Sequence, residues 1–208
     1  MIDPPVTKHS CVLIAVDGNN PSEVLEYANG IAVAYQHKGR AAVVFDFPRN
    51  SQLPGHPTDG DMRSNFELQK LWFSNLAGCL REEMEKHTMI ITSGYGIFDM
   101  FKLFMDGRTW GECSELSALL PKPTAFVYLT EKPRSNVTEV SKSKALAKQM
   151  EDESHIFFAH HQRWDGSSEF SADNRVGVCT MTPNYAMSFT AQIRWIVSHF
   201  AFQIGQLA

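Results

Sequence analysis

The sequence predicts an α/β fold of three layers, with helices over both faces of a five-stranded parallel sheet. Three observations carry this prediction. Five apolar runs rich in β-branched and aromatic residues recur along the chain: Cys11–Val16, Ala41–Phe47, Thr88–Thr92, Thr124–Leu129 and Val176–Thr180. Longer segments with apolar residues at helical spacing lie between most of them. Such alternation is the pattern of a parallel sheet with both faces covered. Finally, 208 residues with 43% apolar and 20% charged composition suit one domain, residues 1–208, with a substantial core.

Taken in order, the first strand is the continuous run CVLIAV. The helix Ser22–His37 follows, opened by Asn20-Pro21-Ser22-Glu23: a capping residue, Pro at the first helical position, and Glu three after the cap. After the strand Ala41–Phe47 comes Asn50–Asp61, rich in Pro, Gly and Asp, which reads as a mobile surface connection. A long helix, Met62–His87, leads to the strand Thr88–Thr92. The helix Gly96–Leu120 has a break in it, and the Met and Phe residues of FDMFKLFMDG recur there at the spacing of a core face. The strand Thr124–Leu129 is followed by a second surface connection, Thr130–Ser141, and by the helix Val140–Trp164. Val176–Thr180 and the helix Tyr185–Ala208 complete the order. In an open parallel sheet both connections lie at or near the carboxyl edge, where ligands bind.

Composition excludes several classes of function. The net charge of −4 gives no electrostatic reason for nonspecific nucleic-acid binding, which depends on Lys and Arg neutralising phosphates. Cys11, Cys79, Cys113 and Cys179 lie far apart and form no C-x-x-C pair, so they read as reduced thiols rather than a metal or disulfide framework. His155, His160 and His161 have no metal-binding helical spacing, and no metal is expected. The amino terminus MIDPPVTKHS has none of the features of a signal peptide. A cytoplasmic or nuclear location is expected, and the sequon Asn136-Val137-Thr138 reads as surface-loop chemistry. The terminal helix is too polar to span a membrane, yet Ile193, Trp195, Ile196, Phe200, Phe202 and Ile204 place apolar residues on more than one side.

The stretch Asp17-Gly18-Asn19-Asn20-Pro21-Ser22-Glu23-Val24-Leu25 lies where a strand–turn–helix phosphate site would be. Such a loop works because backbone N–H groups and a helix amino end converge on an anion, while Lys neutralises charge and Ser or Thr ligates magnesium. Here Gly18 alone remains of the glycines, Pro21 removes one donor, and Val24 and Leu25 provide neither Lys nor hydroxyl. A Glu23 carboxylate folded back on the helix end would occupy its donors and repel a phosphate. The turn therefore reads as a well-capped structural helix start.

From Asp17 to Phe47-Pro48 the chain resembles thymidylate kinases, in which an acidic residue opens the phosphate loop and a helix and strand lead to an F-P motif. The resemblance continues through Leu80 to His87 with the strand after it, and is strongest at Leu120-Pro121-Lys122-Pro123-Thr124-Ala125-Phe126-Val127-Tyr128-Leu129, which looks like the family's L-P-K-P-D-L-x-x-x-L strand. It covers roughly residues 12–129, and implies a P-loop-kinase-like fold with a lid-like segment near 130–141. The departures fall on the chemistry. Val24 and Leu25 stand for the family's Lys and Ser. Ser93-Gly94-Tyr95 stands for D-R-[YH], Arg49-Asn50 stands where the family has an acid and then Arg, and no helix Arg follows Phe73-Ser74-Asn75.

Phosphoryl transfer is mostly positioning and electrostatics, so these losses remove most of what a protein contributes to it. The expectation is a noncatalytic thymidylate-kinase-like protein that acts through protein interaction, as a homodimer or with another chain, or through nucleotide binding. No catalytic residue and no cofactor is expected. A nucleoside slot, if kept, would use Phe47, Arg49, Tyr95, Phe98 and Phe101, the aromatic rings among them being able to stack a base. The alternative is an active nucleoside monophosphate kinase using ATP and magnesium in a rearranged site, with Asp17, Arg49 and Arg134 in the catalytic roles and Lys122 adding charge.

Overall fold

A computed structural model describes residues 11–18, 20–47, 65–96, 103, 107–129, 177–181, 187–201 and 204. Five strands, β1 (Val12–Gly18), β2 (Ala42–Asp46), β3 (Met89–Ser93), β4 (Ala125–Leu129) and β5 (Gly177–Met181), form one sheet in the order β2-β3-β1-β4-β5. Every pairing is parallel. The described helices are α1 (Pro21–Gln36), α2 (Phe66–Lys86), α3 (Trp110–Leu119) and α4 (Phe189–His199). The α/β class and the parallel sheet are those the sequence predicts. The expected helix Val140–Trp164 and both expected surface connections, Asn50–Asp61 and Thr130–Ser141, lie outside the described residues.

β1 is central and carries no polar residue before Asp17 because both its faces are covered, as a parallel sheet requires. Val12, Ile14 and Val16 point into a core with Val24, Tyr27, Ala28 and Ile31 of α1 and Ile193, Ile196 and Val197 of α4. Leu13 and Ala15 point the other way, into a core with Trp72, Phe73, Leu76 and Leu80 of α2 and Cys113 and Leu116 of α3. Period-two alternation within an all-apolar run thus feeds two separate cores.

Caps set the helix boundaries. The helix expected from residue 62 begins at Phe66, because Asn65 is extended and its Oδ1 accepts from the amides of Glu67 (3.1 Å) and Leu68 (3.2 Å). The later part of the expected helix Gly96–Leu120 starts at Trp110 behind a reciprocal box, in which Thr109 Oγ1 accepts from the Glu112 amide and the Glu112 carboxylate accepts from the Thr109 amide. The last helix begins at Phe189, capped by Ser188, rather than at Tyr185.

α1 and α4 are locked together at one point of close approach. A Cβ on Gly30 would stand 2.9 Å from Ile193 Cδ1 and 2.9 Å from Phe189 Cζ, so any side chain there must push those side chains aside. Beside it the Tyr27 hydroxyl donates to Gln192 Oε1 at 2.6 Å in a buried position, and the Tyr27 and Phe189 rings meet edge to face at 5.1 Å. Gln192 Nε2 donates in turn to the Met187 carbonyl (3.2 Å). The other tyrosine of this core, Tyr35, is 4% exposed, and its hydroxyl has no hydrogen-bond partner among the described residues. Burial pushes its pKa up to about 12, against a smaller opposing pull from Arg40.

Two predictions follow from this packing. Gly30→Val is expected to destabilise the protein by about 1–3 kcal/mol through overpacking. Gly78→Ala, on α2 where a Cβ meets open space, should stabilise it by about 0.5–1 kcal/mol; urea denaturation of both variants checks the pair. The tyrosines should separate in the same way. Tyr27→Phe takes away the donor that satisfies Gln192 Oε1 and should cost about 1–3 kcal/mol, whereas Tyr35→Phe removes an unpaired hydroxyl and should be neutral or stabilising at pH 7. Because the folded pKa of Tyr35 is raised, the unfolded chain loses this proton first. Wild-type stability should then fall as pH rises from about 10 to about 12, and that component of the fall should vanish in Tyr35→Phe.

Candidate functional site

The candidate site is the carboxyl edge of β1 and β3, where the first helix begins. β1 runs two residues further than its apolar stretch, because Asp17 pairs in register with Tyr128 and Gly18 with Leu129 of β4. Gly18 ends the strand against that neighbour: a Cβ there would lie 2.7 Å from the Leu129 carbonyl oxygen and 3.3 Å from Val24 Cγ2. Only Asn19 and Asn20 separate the end of β1 from the start of α1. A connection this short has little backbone with which to surround a phosphate.

The amino end of α1 is closed by its own residues. Asn20 is extended, and its Oδ1 accepts from the amides of Ser22 (3.2 Å) and Glu23 (3.4 Å), while its carbonyl accepts from the Val24 amide (2.9 Å). Pro21 at the first helical position has no N–H. The Ser22 and Glu23 amides are thus bonded within the turn, and Pro21 has none to offer. Asn20 is the capping residue the sequence predicts, with Pro21 at the first helical position as expected. Val24 is 2% exposed, within the core that includes Leu129 and Ile193, and Leu25 is half-buried. The residue at the family's Lys position therefore packs inward as an apolar side chain.

Asp17 lies on the sheet face of Leu13 and Ala15 by strand alternation. It is 4% exposed, and its Oδ1 accepts from the Gly18 amide at 2.8 Å. On β3 of the same edge, Ser93 is buried and its carbonyl accepts from the Phe47 amide (2.9 Å). Gly94 follows with φ +80°, its amide donating to the Val16 carbonyl at 2.8 Å. That backbone is strained for any residue with a side chain, which accounts for glycine where the family carries Arg.

Two of the expected slot residues, Phe47 and Tyr95, do meet, with ring centroids 5.8 Å apart. Both are buried, with Trp72 edge-on to Phe47 at 6.5 Å. Tyr95 is 1% exposed, its hydroxyl donates to the Pro121 carbonyl, and burial drives its pKa well above the ordinary tyrosine value. The next carbonyl-anchored contact lies alongside, Arg81 Nη2 donating to the Leu119 carbonyl at 2.6 Å. The aromatic retained from D-R-[YH] thus fastens β3 to the L-P-K-P turn, and Lys122 of that turn is exposed. Asn19, Arg49, Phe98, Phe101 and Arg134 lie outside the described residues. Among the described residues no group of three or more His, Cys, Asp or Glu is placed to hold a metal ion, and no helix is long and apolar enough to cross a membrane.

The contact that sequence reasoning missed is the one between Tyr95 and Pro121. No local signal points to it, because Tyr95 and Pro121 lie 26 residues apart in the chain. The Asn20 cap can be tested directly. Asn20→Ala should cost about 0.5–2 kcal/mol in chemical denaturation, while Asn20→Ser or Asn20→Asp, which restore an acceptor, should retain most of the stability.

No model of a known protein family and no curated protein matches this chain. Solved structures do. Thymidylate kinase from Candida albicans aligns over 93% of this chain and 94% of its own, with a TM-score of 0.51 at 14% identity. Thymidylate kinase from Ehrlichia chaffeensis aligns over 96% of this chain and 100% of its own, with a TM-score of 0.48 at 11% identity. At such identities the likeness is one of fold, and this chain has a thymidylate-kinase-like α/β fold.

Proposed function

We propose that this chain is a noncatalytic protein on a thymidylate-kinase-like fold, and that it acts through protein interaction, with a second copy of itself or with another chain. The observation that carries this reading is the closed amino end of α1, where Asn20 takes the Ser22 and Glu23 amides, Pro21 has none, and Val24 fills the core. Those are the groups a nucleoside triphosphate would need: free donors for its phosphates, a Lys for their charge and a hydroxyl for the metal. Loss of a single preorganised donor at such a site costs about 10²–10³ in rate. Here the donors, the cation and the metal-holding hydroxyl are missing together.

The same logic extends to the nucleoside side. Phe47 and Tyr95 are packed against each other and Trp72, so their apolar surface is already covered. Nucleotide binding without transfer is a smaller part of this reading, and it would have to use residues beyond these two.

The solved neighbour is a thymidylate kinase, so dTMP and ATP are the ligands to test. The purified protein, titrated calorimetrically with ATP and with dTMP in the presence of magnesium, should give no saturable heat up to millimolar concentration. A coupled assay should find phosphate transfer from ATP to dTMP at buffer background. Micromolar ATP affinity with magnesium-dependent turnover, abolished in Asp17→Ala, would overturn the proposal in favour of an active kinase. Sedimentation across a hundredfold range of protein concentration separates the two kinds of partner, with a concentration-dependent dimer expected for self-association.

A further inference from the structure

We draw no further inference here: the strongest candidate, the outer face of α4 where the half-exposed Trp195 ring stacks on His199, is an unpartnered apolar patch, and nothing in the structure shows what covers it.

Discussion

The pairing of β1 on both of its edges is the constraint on which the rest of this structure depends. β1 exchanges hydrogen bonds with β3 on one side and β4 on the other, and its side chains alternate between two cores that α1 with α4 and α2 with α3 close off. Because the strand is parallel to both neighbours, each of those contacts needs a crossover, and the crossovers supply the helices. Thr124 shows how tightly the pairing is held: its amide donates to the Leu13 carbonyl at 2.7 Å, and its hydroxyl accepts from the Leu13 amide at 3.3 Å. Once β1 is fixed, the carboxyl edge of the sheet is fixed with it.

That edge is where a nucleotide-binding protein of this architecture would place its ligand, and among the described residues the protein's own groups meet one another along it. They do so in three contacts of different kinds. A side-chain amide oxygen caps the helix amino end, a strand glycine is pressed against a neighbouring carbonyl, and a buried tyrosine donates to a turn carbonyl. The first and third give donors a partner within the protein, and the second is a close steric approach. A donor already bonded within the protein is a poorer partner for an anion.

Much of the fold was legible because its signals are local. Apolar runs of strand length, helical spacing between them and the Asn20-Pro21 start of α1 each depend on residues within a few positions of one another. The candidate site was less legible. At the first turn the Asn20 cap was readable, since an Asn followed by Pro and then Glu is a local signature of a helix start. Tyr95 read as one residue of a nucleoside slot because an aromatic beside a glycine turn has no local feature that tells a core ring from a binding ring.

The sequence by itself determined the class of the fold, the order of its strands and helices along the chain, and that positions 24 and 25 carry neither Lys nor a hydroxyl, because each of these is written in residue type and short-range spacing. Only the tertiary structure decided where β1 stops, what Gly18 and Gly30 are for, and that Tyr95 is turned inward to Pro121. The physical reason is sequence separation. Leu13 and Thr124 bond across 111 residues, and Tyr27 reaches Gln192 across 165. Such contacts are set by packing of the whole chain, which no local pattern encodes.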